Sequence, residues 1–173
     1  MRLRGFAAAA VAVGLILVPA SFSATQSSVY RIDHVTDGDT VVLRGGQRVR
    51  LVQIDTPEVF FGVECYGKQA SATTKRLLPD GTRVRLQVDP ATDRVDRYGR
   101  LLRYVVRAKD GLNVNLRLVA LGAAAPYFYD DVRGRYAKRL EALAKRAKAK
   151  GLGLWGACPR TPYDPYRGVA TRR

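Results

Sequence analysis

The stretch 29-VYRIDHVTDGDTVVLRGGQRVRLVQI-54 holds three runs rich in β-branched residues, divided by two glycine turns. Val29–Thr36 and Asp39–Arg44 are expected as strands joined at Asp37-Gly38, and Arg48–Ile54 as a third strand after Gly45-Gly46. Thr56-Pro57 stops the third, because proline withholds the ladder donor. Downstream, Tyr66–Leu78 carries Ala70, Thr73 or Thr74, and Leu77 at helical spacing and ends before the turn Pro79-Asp80-Gly81. Arg83–Asp89 alternates Val84, Leu86 and Val88 against Arg83, Arg85 and Gln87. A turn at 96–99 leads into a fifth strand, Leu101–Arg107. Leu112–Leu121 is a short helix with Gly122 as its stop. Arg133–Lys150 is the clearest helix, with Tyr136, Leu140, Leu143, Ala144 and Ala147 on one stripe. Trp155 follows as an anchor against the strands.

Three strands, a helix and two strands, with two helices after them, is the order of an α+β, mainly β, five-stranded OB-fold barrel with three helices. Such barrels commonly bind oligonucleotides. Upstream, Arg2 and Arg4 precede the uncharged apolar run Phe6–Val18, Pro19 and small residues, so 1–24 read as a secretory signal. An uncleaved anchor is the other reading, although the run is short for a span. Residues 29–158 form the domain, and 159–173, proline-rich and basic, read as a disordered tail.

Taking Arg2 and Arg4 from the 30 basic residues leaves an excess of about 13 over the 15 acidic ones. Such an excess suits a polyanion, nucleic acid above all, although a cationic envelope protein would carry it too. Cys65 and Cys158, the two cysteines, suggest one long-range disulfide in an exported chain, with two buried thiols as the alternative. A single histidine, His34, excludes a two-histidine acid–base mechanism and histidine-rich zinc sites. Any general base must then be a carboxylate, tyrosine, lysine or cysteine.

Two acidic clusters, Asp37-Gly38-Asp39-Thr40 and Asp55-Thr56-Pro57-Glu58, and one basic cluster, Asp96-Arg97-Tyr98-Gly99-Arg100, stand out. Hard divalent cations take oxygen ligands, and strand pairing could bring Asp39 and Asp55 together. Each acidic cluster alone is more often a plain turn. Arginine suits the charge that grows on a phosphoryl group under attack, but composition does not single out Arg50 and Arg100 among so many cations.

Those clusters in that order, with Val49-Arg50-Leu51, Tyr66-Gly67, Tyr127-Phe128-Tyr129 and Leu154-Trp155 between and after them, resemble the staphylococcal nuclease family from about Val29 to Trp155. The resemblance implies a secreted, calcium-dependent, sugar-nonspecific nuclease that cuts DNA and RNA to 3′-phosphate products. It implies that Asp39, Asp55 and the Thr56 carbonyl bind Ca2+, that Glu58 is the general base or orients the attacking water, and that Arg50 and Arg100 hold the scissile phosphate. Arg97, Tyr98, Tyr127 and Tyr129 would line the nucleotide pocket, where aromatic faces stack on any base. Single-stranded nucleic acid is the expected preferred partner, and the chain is expected to be a monomer without stable membrane association after signal cleavage.

The chain departs from the family's pattern between Glu58 and Tyr66. That segment is shorter and less basic than in the best-known member, with Phe60 and Phe61 in place of lysines. The cysteines are an addition; bridged, they would pin the first helix to the segment after Trp155. The alternative function is a non-catalytic nucleic-acid-binding OB-fold domain, although such domains tend to lose part of the acidic and arginine set. One geometric demand stands out. Arg50 and Asp55, five positions apart, face opposite sides of a flat strand and reach one site only if the chain bends or bulges near Gln53.

Overall fold

The first two β-branched runs form Val29–Val35 (β1) and Thr40–Leu43 (β2), and Arg48–Leu51 (β3) follows. The computed structural model describes residues 28–60 and 62–165; the expected signal and the end of the tail lie outside them. Gly67–Leu77 (α1) leads to Arg83–Gln87 (β5) and Leu101–Arg107 (β6), with Ile54–Asp55 (β4) before them. Val114–Ala120 (α2), Ala125–Pro126 (β7), Ala137–Ala149 (α3) and the one-turn Leu154–Ala157 (α4) complete the order.

β1, β2, β3, β6 and β5 close into a barrel in that order. Only the β3–β6 pairing is parallel. This is the expected five-stranded OB-fold barrel, mainly β, with three helices of two turns or more. Ile32, Val41, Leu43, Val49, Leu51 and Val84 fill it, and Ala70, Leu118, Leu140 and Ala144 from the helices join the same core. Each buried Leu or Ile contributes roughly 1.5–3 kcal/mol relative to exposure. His34 is an exposed strand residue whose ring nitrogen pairs with Asp33 at 2.9 Å. No helix among the described residues is long and apolar enough to cross a membrane.

The third strand is shorter than its pattern. It ends at Leu51, and Gln53 adopts φ 65°, the left-handed region. A non-glycine residue there costs about 1–2 kcal/mol. The buried Gln53 side chain offsets this by donating to Val132 O at 2.7 Å and accepting from the Gly134 N–H at 2.8 Å. Beyond the bend, β4 leaves the barrel and pairs with β7. The bend demanded by Arg50 and Asp55 is therefore present where it was expected.

The last long helix starts at Ala137, not at Arg133. Residues 133–136 carry the helical pattern but are held otherwise. Gly134 N–H is committed to Gln53, and Arg135 N–H donates to buried Asp89 at 2.8 Å. A Cβ on Gly134 would lie 2.0 Å from an Asp89 carboxylate oxygen, so the approach needs glycine. Asp89 also accepts from the buried Tyr104 hydroxyl at 2.7 Å.

The expected disordered tail is ordered over its first part. Tyr163 is 6% exposed and packs in a small cluster with Ala125, Leu154 and Cys158, against Tyr66 and Trp155. An aromatic ring that finds an apolar recess outweighs a composition that favours disorder. The Cys65–Cys158 disulfide is formed, with a sequence separation of 93, and pins the entry of α1 to the end of α4. A Cys65→Ser/Cys158→Ser protein is expected to lose about 2–4 kcal/mol of unfolding free energy, since the reduced chain regains loop entropy. Urea midpoints read this directly, and an unchanged midpoint would show the bridge to be idle.

Candidate nuclease site

The turn between β1 and β2 is built by Asp37, whose carboxylate accepts the backbone N–H of Asp39 at 3.0 Å and of Thr40 at 2.7 Å. That places Asp39 at the head of β2, and antiparallel register sets Thr40 opposite Arg50. Gly38 lies against Thr56, where a Cβ would come within 2.3 Å of the hydroxyl. Thr74 of α1 donates to the Gly38 carbonyl at 2.6 Å, so the helix holds the turn from behind.

Arg50 is the hub. Its Nε pairs with Asp39 at 3.0 Å and its Nη2 with Asp55 at 2.7 Å. Its Nη1 donates to the carbonyls of Leu51 at 2.9 Å and Ile54 at 2.8 Å. The bend at Gln53 makes this possible, since it turns Asp55 back onto the face Arg50 occupies. Burial disfavours the charged guanidinium, but Asp39, Asp55 and Asp37 outweigh it and raise its pKa. The Asp37 carboxyl is itself pushed up, first by burial and then by the charge of Asp39 beside it. The second Asp39 oxygen accepts both the backbone N–H and the hydroxyl of Thr56, each at 2.9 Å.

Arg100 is anchored from the 96–100 turn. Asp96 accepts the backbone N–H of Tyr98 and of Arg100, each at 2.9 Å, and the Arg100 Nε at 2.7 Å. Nη1 makes only a long, 3.5 Å contact to the Thr40 hydroxyl. Arg97 and Arg100 both lie over the Tyr98 ring, at 4.8 and 5.3 Å from its centre. Such contacts keep cations and an aromatic face together at a water-exposed edge.

Glu58 follows the Thr56-Pro57 stop. Its backbone N–H donates to a Glu64 carboxylate oxygen at 2.9 Å, and its carbonyl accepts the Glu64 N–H at 3.0 Å. Gly67, at the start of α1, touches the same carbonyl so closely that a Cβ would sit 2.3 Å away. Pairing of β4 with β7 delivers Tyr127, whose N–H donates to Gln53 O at 3.0 Å. Burial, then the charge of Asp55, raises the Tyr127 phenol above its ordinary value.

Arg50, Asp55, Glu58, Arg97, Tyr98, Arg100, Tyr127 and Tyr129 line one cleft of about 770 Å³. Asp39 and Thr56 are buried behind it. The residues singled out in sequence thus gather at one place, and Cys65 and Cys158 are bridged outside it. Sequence reasoning placed a bend near Gln53 but not the contacts of its side chain, and it missed Glu64, Asp96 as the anchor of Arg100, and Tyr163. Asp96 alone carried a signal, as the first residue of a turn ending in glycine.

Among the described residues no group of three or more His, Cys, Asp and Glu side chains forms a metal cage. The donors that are present are nevertheless all oxygen, and Asp39 and Asp55 are close enough to share one guanidinium. Two carboxylates with a backbone carbonyl suit a hard cation that keeps part of its water.

The family model described as "Staphylococcal nuclease homologue" matches residues 48–157. The chain belongs to the staphylococcal nuclease family. The thermonuclease of Staphylococcus intermedius is 39% identical over 132 residues, which cover 73% of this chain and 75% of that protein. The thermonuclease of Staphylococcus hyicus is 35% identical over 142 residues, 79% of this chain and 80% of its own length. Endonuclease YncB of Bacillus subtilis (strain 168) is 34% identical over 143 residues, covering 79% of this chain and 64% of that enzyme. In this member of the staphylococcal nuclease family the Cys65–Cys158 bridge and the packed Tyr163 segment stand beside the barrel and cleft.

Proposed function

We propose that the protein is an exported, calcium-dependent nuclease that hydrolyses phosphodiester bonds of both DNA and RNA and leaves 3′-phosphate ends. The enzyme class, a phosphodiesterase of the nuclease type, comes with the family. The observation that carries the finer reading is the joining of Asp39 and Asp55 on Arg50 in a cleft shared with Glu58 and Arg100.

In this reading Asp39, Asp55 and the Thr56 carbonyl hold the cation, which supplies Lewis-acid polarisation and a template for the phosphate. Glu58 accepts the proton of the attacking water. Arg100, its Nε fixed by Asp96, offers its terminal amino groups to the phosphoryl oxygens. Arg50 lines the same cleft and would share that task once its carboxylate partners take the cation. Tyr127 and the exposed Tyr98 and Tyr129 give bases a stacking surface without sequence preference, and Arg97 adds charge. Exposed bases favour single-stranded substrate. The apolar leader and the disulfide support export, since bridges persist in oxidising compartments.

The test uses protein from Thr25 onward with single-stranded DNA, duplex DNA and RNA, in calcium and in EGTA. Cleavage in calcium alone, with 3′-phosphate ends, is the expected result. Cleavage that persists in EGTA would remove the metal from the mechanism. Binding without cleavage in either would instead make the chain a nucleic-acid-binding barrel.

A further inference from the structure

The segment that follows the disulfide returns to the cleft, and one side chain in it reaches the loop that carries Glu58. Tyr163 is buried, and its hydroxyl donates to a Glu64 carboxylate oxygen at 3.1 Å. The same oxygen accepts the backbone N–H of Glu58 at 2.9 Å. Glu64 is held from its own backbone as well, because its N–H donates to the Glu58 carbonyl and its carbonyl accepts the Gly67 N–H, each at 3.0 Å. Cys65, the next residue, is bonded to Cys158, only five positions before Tyr163. Tyr163, Glu64 and Glu58 all line the same cleft. A closed circuit results: Glu58 to Glu64, Glu64 to Tyr163, Tyr163 along the chain to Cys158, and back through sulfur to Cys65.

We propose that Tyr163 is a positioning residue for catalysis, which sets Glu58 through the Glu64 carboxylate, with the disulfide holding the strap 158–165 in reach. The inference rests on the assignment of Glu58 as the base that acts on water. Its chemistry is simple. The described residues between Glu58 and Tyr66 carry no helix or strand to fix them, and a base displaced by about 1 Å loses up to roughly 100-fold in rate. A carboxylate that accepts from two donors on different chain segments removes that freedom. Burial, then the nearby charges of Asp55, Glu64 and Asp39, push the Tyr163 phenol far above its ordinary value. It therefore stays protonated, and able to donate, throughout the neutral and mildly alkaline range. The strap supplies from the far end of the chain an anchor that the short loop lacks.

The experiment is a double-mutant cycle in the full chain from Thr25, with Tyr163→Phe, Glu64→Gln and the pair, assayed in calcium on single-stranded DNA. Tyr163→Phe keeps the ring in its recess and removes only the hydroxyl. It is expected to lower kcat about tenfold with KM unchanged. The double variant is expected to be no worse than the poorer single variant, because Tyr163→Phe removes the donor and Glu64→Gln weakens the acceptor of one chain of contacts. Reducing the disulfide in folded wild-type protein is expected to give a similar fall in kcat. Wild-type kcat in Tyr163→Phe would overturn the inference. So would a raised KM at unchanged kcat, which would make Tyr163 a wall of the substrate cleft, or strictly multiplicative losses in the double variant. Should Glu64→Gln fail to fold, the kcat and KM of Tyr163→Phe decide alone. An inactive wild-type protein would instead sink the nuclease mechanism itself, so the two failures are told apart.

Discussion

An Arg100→Ala protein is expected to retain its fold and lose about 10²–10³-fold in kcat, the usual cost of removing one positioned transition-state donor. The reason lies in how the guanidinium is held. Asp96 takes its Nε at 2.7 Å and the backbone N–H of the same residue at 2.9 Å, so the planar fork has a fixed direction before substrate arrives. A lysine would carry the charge without the fork, so Arg100→Lys is expected to recover only a small part of the loss. Calcium-dependent cleavage, with kcat and KM measured separately, checks both variants. Near-wild-type turnover in Arg100→Ala would remove this residue from the chemistry.

The Asp96 anchor also has a defined pH response. Burial alone would raise its carboxyl, but the backbone N–H and guanidinium of Arg100 and the Tyr98 N–H outweigh that and hold it below the ordinary 3.8. A depressed carboxyl contributes stability that is complete above the unfolded value and lost as pH falls through the folded one. Acid therefore detaches Arg100 only below pH 3.8, and the Arg100 geometry is constant across the neutral range.

Much of the barrel was legible because its strands are short, rich in β-branched residues and bounded by turn signals; in Arg83–Gln87 Val84 is buried and Arg83 exposed. Local periodicity could not show where it would be overruled. Gln53 sits inside a run that looks like a continuous strand, and its left-handed backbone is held by Val132 and Gly134, about eighty positions away. The same long-range contacts, with Asp89, suppress the first turn of the last long helix. Tyr163 falls in a segment whose composition favours disorder, and it is ordered by a recess formed by Ala125, Leu154 and Cys158. For the site, the motif order identified the carboxylates, arginines and tyrosines. Of the residues that hold them in place, Asp96 is marked only as the head of a local turn, and Glu64 carries no mark beyond being acidic, since its contact with Tyr163 exists only once distant segments meet.

Arg50 is expected to separate stability from catalysis. Its Nε, Nη1 and Nη2 already make four contacts, to Asp39, Asp55 and the carbonyls of Leu51 and Ile54. A guanidinium has five N–H donors, so little remains for a phosphate while both carboxylates are engaged. In the proposed mechanism a divalent cation would compete with the guanidinium for the same two carboxylates, and each would relieve the repulsion between them. Arg50→Ala takes from Asp39 and Asp55, whose side chains are only 9% and 16% exposed, the guanidinium that both engage. Removing one partner of a buried pair typically costs about 3–5 kcal/mol. That loss is expected in EGTA, and on the proposed calcium site most of it is expected to return in saturating calcium, as for any ligand that binds the folded state alone. Turnover is not expected to return, because calcium would replace the charge beside the carboxylates but not the guanidinium donors that it would release for a phosphate. Arg50→Lys, with charge but no fork, is expected to hold stability better and still turn over about 10²-fold more slowly. Urea titrations with and without calcium, set beside kcat, separate the two roles. Equal destabilisation of Arg50→Ala in calcium and in EGTA would show that these carboxylates do not hold the cation.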